Sequence, residues 1–275
     1  MSALTLDDGT IHYETAGDGD PLVFVHGGWM DGNAWYPQVE RFADEHRTIT
    51  LDVRGHGRTG ATAADRYSIE LFADDLEALL AHLDVDRPAL VGLSLGSMVV
   101  QEYLHRHPDR ARGAVLGGPV RSMPPVPMPT SAKPLFSPIP AISTSLALAG
   151  QEATFRSMLA GIRATTGAPW LALDREVRER AIRGVADVPA REYRKVFDAL
   201  YRYDAPALDG VETPTLAVYG DHEACPVKRQ GDAIASSVAT GDRVEIPDAG
   251  HLVNQDRVEA FNRVLADFLA RVPAS

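Results

Sequence analysis

Apolar and polar positions alternate along the chain in two rhythms. Short, nearly continuous apolar runs occur at Leu22–Val25, Ala89–Val91, Ala114–Leu116 and Leu216–Tyr219. Runs of that length and character predict strands buried on both faces. Arg47–Leu51 and Arg243–Ile246 predict two further strands. At the amino terminus, Leu4–Leu6 and Ile11–Thr15 read as a hairpin turned at Asp7-Asp8-Gly9. The second rhythm is helical. Ile69, Phe72, Ala73, Leu76, Leu79, Leu80 and Leu83 recur at three- and four-residue spacing. Val258, Phe261, Val264, Leu265, Phe268 and Leu269 do the same near the carboxyl end. Shorter helices are expected over Trp35–Glu45, from Ser94 to about Arg106, and over Val227–Ser237. Strands alternating with helices predict a mostly parallel sheet, the α/β class.

The alternation fails once. Eight prolines fall between positions 119 and 140, a density that suits neither strand nor helix. Helical patterns resume from about Ala141, again over Arg175–Gly184, and over Ala190–Tyr203. Residues 119–210 therefore read as a mainly helical insertion in a core built from 1–118 and 211–275.

Composition narrows the picture. A length of 275 residues with 45% hydrophobic and 24% charged positions suits one large domain carrying an insertion. The net charge of −11 argues against a nucleic-acid partner and against an anionic membrane surface. Cys225 is the single cysteine, so no intrachain disulfide is possible. The first ten residues lack the basic and apolar regions of a secretion signal, and no run approaches the ~18 apolar residues of a membrane span. A cytoplasmic location is the expectation. No histidine and cysteine cluster has metal-ligand spacing, and neither G-x-G-x-x-G after the first strand nor a Walker lysine is present, so no metal or cofactor is implied.

The reactive residue types collect where the strands are expected to end. Gly92-Leu93-Ser94-Leu95-Gly96 joins a strand to a helix through a turn sharp enough to strain the serine and lift its hydroxyl clear. His26-Gly27-Gly28-Trp29 follows another strand, and its glycines permit exposed backbone N–H groups that could hold an oxyanion. Asp52-Val53-Arg54-Gly55-His56-Gly57 follows a third, where Asp52 and Arg54 are expected to brace the loops and His56 to bond backbone locally. Gly220-Asp221-His222-Glu223 and Ala249-Gly250-His251 follow the last two. Open α/β sheets bind ligands at this edge. A serine hydroxyl needs a base within reach, and the base needs a carboxylate to fix its tautomer.

These five motifs, in this order, resemble the α/β-hydrolase superfamily in the branch that carries a lid after strand six. The resemblance implies an eight-stranded, mostly parallel sheet with helices on both faces. It implies Ser94 as nucleophile and His251 as base. Three residues past Gly220 the family pattern has an acid, here Glu223, with Asp221 the alternative. The oxyanion hole would be the N–H groups of Leu95 and Gly28, with Trp29 next in line. Ser97 stands where relatives often carry glycine, a departure expected to tighten the helix start. The lid would supply a pocket from Met123, Phe136, Trp170 and Phe197, with Trp29 beneath, and Met128 and Tyr201 nearby. No cofactor is implied, and the partner would be a small molecule with an acyl group. The activity implied is hydrolysis of a carboxylic ester or lactone through an acyl-enzyme. Carbon–carbon bond hydrolysis, aminopeptidase or acyltransferase activity, or a ligand receptor that retains the triad, are the alternatives.

Overall fold

A computed structural model describes residues 2–124, 130–166 and 169–273. The two amino-terminal strands, β1 (Ser2–Leu6) and β2 (Gly9–Ala16), form the expected hairpin, with Leu6 opposite Gly9. The chain continues through β3 (Asp20–Val25), α1 (Tyr36–Phe42), β4 (His46–Leu51), α2 (Ile69–His82), β5 (Ala89–Leu93), α3 (Leu95–Arg106) and β6 (Gly113–Gly117). Three helices follow: α4 (Ile139–Thr166), α5 (Arg175–Gly184) and α6 (Ala190–Arg202). The alternation then returns with β7 (Thr215–Gly220), α7 (Cys225–Ser237), β8 (Gly241–Ile246), α8 (Val253–Asp256) and α9 (Val258–Leu269). The helix expected from Trp35 begins instead as a 3-10 turn, Gly32–Trp35, because Asp31 caps the Asn33 N–H; α1 follows with Pro37 in its first turn. Gly150 breaks α4 with a φ of 80° and a ψ of 179°, a conformation open to glycine.

The eight strands lie in the order β1-β2-β4-β3-β5-β6-β7-β8. The pairs β1/β2 and β2/β4 are antiparallel, and the rest are parallel. Helices cover both faces, α2 packing on α3 and α1 on α9. The parallel strands are apolar throughout because both faces are covered. Val23, Leu90, Leu116 and Val218 are fully buried on this account.

The strand order reverses at β3, whose successor β4 lies on one side and β5 on the other. That reversal splays the connections after β3 and β5 apart and leaves a crevice at their carboxyl ends. His26-Gly27-Gly28 leaves β3 there, and Ser94 leaves β5. The helices between β6 and β7 lie over this edge. Their two ends are tied together, since the Ala205 N–H donates to Arg121 O at 2.8 Å and Ser122 bridges Asp204. Buried bonds from α6 also hold the body: Tyr67 donates to Glu192, and Lys195 Nζ donates to Ala64 O at 2.8 Å.

Candidate active site

Ser94 stands at the turn between β5 and α3 with φ 53° and ψ −109°. A side chain in that region is strained, and the flanking glycines explain how it survives. A Cβ on Gly92 would lie 2.3 Å from Gly96 O, and one on Gly96 would lie 2.1 Å from Val25 O. Both glycines are therefore required for strand and helix to close on each other. The Ser94 N–H bonds Gly117 O at 2.9 Å, which fastens the turn to the end of β6. Ser97 does tighten this corner: its Oγ donates to Ser94 O at 2.6 Å and accepts the Val120 N–H at 3.2 Å.

The carboxylate and the imidazole meet across the ends of β7 and β8. Gly220 pairs with Ile246 at the last register position. Beyond it, His222 N–H bonds Ala249 O at 3.0 Å, and a Cβ on Gly220 would strike that same oxygen at 2.0 Å. This close approach brings His251 Nδ1 to Glu223 Oε2 at 2.6 Å, with both side chains buried. A carboxylate only accepts, so Nδ1 carries the proton, and in the neutral ring Nε2 keeps its lone pair. Asp221 does a different job. Its Oδ1 accepts the Ala249 N–H at 3.1 Å. Against the cost of burial, the N–H groups of Asp248 and Ala249 hold its carboxyl below the usual range. It braces the loop that carries His251.

Ser94 and His251 line one cavity of about 100 Å³ together with Gly28, Met123 and Trp170. Among the described residues no hydrogen bond joins the Ser94 hydroxyl to His251; such contacts are often long in free enzymes and tighten with substrate. The remaining walls are apolar: Met98, Met158, Phe155, Leu159 and Leu200 are among them.

Leu95 opens α3, so its N–H belongs to the first-turn donors that lack a partner in the helix. A Cβ on Gly28 would lie 3.9 Å from Leu95 Cβ, so the two residues are in contact. The Trp29 N–H is already engaged, donating to His56 Nε2 at 2.8 Å. His56 is thus a brace for the Gly28 loop, with its other nitrogen on Val53 O and Arg54 O. His26 acts alike, accepting the Val53 N–H at 3.0 Å while its Nδ1 bonds Gly27 O. Burial keeps both rings neutral, and the neighbouring ring adds to the effect at His56, whose pKa falls to about 3.

The pocket residues expected from the lid divide. Met123 and Trp170 line the cavity, as does Trp29 from below. Phe136 is 66% exposed and lies outside the cavity wall. It sits in a 3-10 turn, Thr130–Phe136, where Tyr201 bonds its carbonyl and leaves the ring to solvent. Phe197 is buried behind the wall, stacked on Trp29 and Tyr201. Met128 lies outside the described residues. Among those residues no group of three or more His, Cys, Asp or Glu could hold a metal ion. Cys225 is exposed at the start of α7.

Two contributors escape the motif reading. Gly118, with φ 48°, follows β6 directly, and a Cβ there would lie 2.9 Å from the His251 ring. Its signal was a glycine pair at a strand end. Trp170 reaches further than the cavity wall: its indole N–H donates to Glu223 Oε1 and its ring stacks on His251 at 4.3 Å. No sequence pattern marks that contact.

The profile of the alpha/beta hydrolase fold matches residues 20–257. The chain belongs to the α/β-hydrolase fold family. It is 30% identical to a protein named non-heme chloroperoxidase CPO-A1 from Kitasatospora aureofaciens, over 98% of this chain and 99% of that one. Among solved structures it resembles Est816, described as an N-acyl homoserine lactone degrading enzyme, with 27% identity, a TM-score of 0.74, and 97% and 100% of the two chains covered. A thermophilic esterase from Thermogutta terrifontis shares the fold with a TM-score of 0.82 at 23% identity, over 98% of this chain and 99% of that one.

Proposed function

We propose that this chain is a serine hydrolase that cleaves a carboxylic ester or lactone through an acyl-enzyme on Ser94, with residues 119–210 as its lid. The observation that carries the reading is the Glu223–His251 pair at 2.6 Å, whose imidazole opens with a strained Ser94 on one apolar cavity. His251 Nε2 takes the Ser94 proton as Oγ attacks the acyl carbon. The Gly28 and Leu95 N–H groups hold the oxyanion. The tetrahedral adduct collapses, the acyl–oxygen bond breaks, and His251 returns its proton to the leaving oxygen. Water then attacks the acyl-enzyme, losing a proton to His251, which hands it back to Ser94 as the acid departs. Glu223 holds the imidazole in the correct tautomer and stabilises its charged form.

Apart from His251, none of the side chains lining the cavity can carry charge. Burying a carboxylate against such walls is costly. The substrate's acyl part is therefore neutral and apolar. A fluorophosphonate should label Ser94, and short neutral p-nitrophenyl esters should turn over. Ser94→Ala should lose labelling and cost on the order of 10⁶ in kcat. Labelling of a folded Ser94→Ala protein, or its turnover near wild type, would refute the mechanism. Turnover of a dicarboxylate monoester as fast as of an acetyl or butyryl ester would refute the specificity.

A further inference from the structure

The helices over the sheet edge touch more than the cavity. Between α4 and α5 the chain crosses the His251 loop as a strap. The His251 N–H donates to Trp170 O at 2.8 Å, and the Leu252 N–H to Leu171 O at 2.9 Å. Asp256 clamps both sides, its carboxylate accepting the N–H groups of Gly250, Leu173 and Asp174 at 2.7 Å each. The approach is close enough that a Cβ on Gly250 would lie 2.6 Å from Trp170 O. This strap fixes Trp170 directly over the Glu223–His251 pair.

Glu223 has two carboxylate oxygens with different duties. Oε2 accepts from His251 Nδ1, while Oε1 accepts the Ala224 N–H at 2.8 Å and the Trp170 indole N–H. A glutamate has one more rotatable bond than an aspartate, so its head group needs an anchor that a shorter side chain would not. Two donors on Oε1 supply it. The indole ring lies over the imidazole, 4.3 Å between centroids and 28° between planes. An imidazolium formed during turnover would meet the negative face of that ring.

We propose that Trp170 is a positioning residue: from the insertion, it orients Glu223 through its indole N–H and stabilises the charged form of His251 through its ring. The inference rests on the hydrolase reading above. It goes beyond a place in the substrate wall, because it assigns the tryptophan a part in the chemical step. Two consequences follow. A change at Trp170 should act on kcat more than on KM. The sheet edge and the helices above it should form one working unit, in which the strap completes the site rather than covering it.

The test compares Trp170→Phe, which keeps an aromatic face and loses the donor, with Trp170→Leu, which loses both. Substrate is p-nitrophenyl acetate, with thermal unfolding of each variant measured in parallel. We expect kcat to fall roughly 10- to 100-fold in Trp170→Phe, as for loss of a hydrogen bond to a charged group, with KM within about threefold. Trp170→Leu should fall further. A kcat within twofold of wild type in Trp170→Phe, or a loss confined to KM, would overturn the proposal. Should the variants not fold, the wild-type protein decides by NMR. Phosphonylating Ser94 with a fluorophosphonate, with loss of fluoride, places a polar phosphoryl oxygen beside His251, and the Trp170 indole N–H resonance should shift with it; an unmoved resonance on phosphonylated protein overturns the inference. Failure of the hydrolase reading looks different: wild-type protein would resist the fluorophosphonate altogether, and the positioning role would fall with it.

Discussion

At the scale of single residues, the choice between two carboxylates on one loop decides how the site works. Glu223 and Asp221 are both within a few residues of the end of β7, yet one faces His251 and the other binds backbone N–H groups at the base of the same loop. Their variants should separate accordingly. Glu223→Gln keeps the size, loses the charge and offers an amide that can hold the imidazole in the wrong tautomer. A change of that kind lowered turnover about 10⁴-fold in a serine protease, and we expect a comparable loss in kcat with little change in thermal midpoint. Asp221→Asn should do the reverse, lowering the midpoint by a few degrees and leaving most of the turnover. Esterase kinetics and thermal unfolding on the two variants check both halves. If Asp221→Asn is the dead variant, the proposed roles are exchanged.

At the scale of elements, the site depends on how closely strand ends and turns approach. Gly118 shows this best, because its turn after β6 presses on the His251 ring. In Gly118→Ala two effects combine: a left-handed alanine, costing roughly 1–2 kcal/mol, and a Cβ 2.9 Å from the imidazole. Gly60 provides the control. It has a φ of 57° and nothing within 4 Å of its Cβ position, so Gly60→Ala carries the strain alone. Both variants should lose stability, Gly60→Ala by a few degrees and Gly118→Ala by more, since its Cβ also meets the His251 ring. Only Gly118→Ala should lose activity, by tenfold or more, as the imidazole is pushed off Glu223. Equal activities in the two folded variants would show that the turn does not set the ring's position.

At the scale of the whole molecule, the loops above the sheet are held by neutral buried histidines. His26 and His56 in those loops, and the half-buried His46 at the start of β4, have pKa values lowered by burial, His56 to about 3. An unfolded histidine titrates near 6.5. Below that pH the unfolded chain binds protons that the folded chain refuses, so stability falls as the pH drops from about 6.5 towards 3. Above 6.5 this contribution is fully present. Urea midpoints should therefore decline between pH 7 and 5, before most carboxylates protonate. His56→Gln, which can still accept the Trp29 N–H without titrating, should show a shallower decline. An unchanged slope would mean that His56 contributes nothing to it.

Much of this architecture was legible in the amino-acid order because its causes are local. Apolar runs of three or four residues mark strands covered on both faces, and the helical spacing of Ile69 to Leu83 marks α2 to within a residue. The glycines at 92 and 96 reflect a steric demand between adjacent segments, so their spacing alone located the turn at Ser94. The expected lid side chains were less legible. An aromatic residue in an insertion can face the cavity, the packing behind it or solvent, and Trp170, Phe197 and Phe136 took one fate each. Periodicity carries no information on that choice where prolines interrupt the pattern. The sequence by itself determined the strands, their order of motifs and the strained serine. Only the tertiary structure decided that Glu223 rather than Asp221 meets His251, that Gly118 and His56 buttress the site, and that Trp170 anchors the carboxylate. The reason is physical: these contacts join residues tens to more than a hundred positions apart, and the register of β7 on β8 and the path of the strap set them, not the neighbours of any one residue.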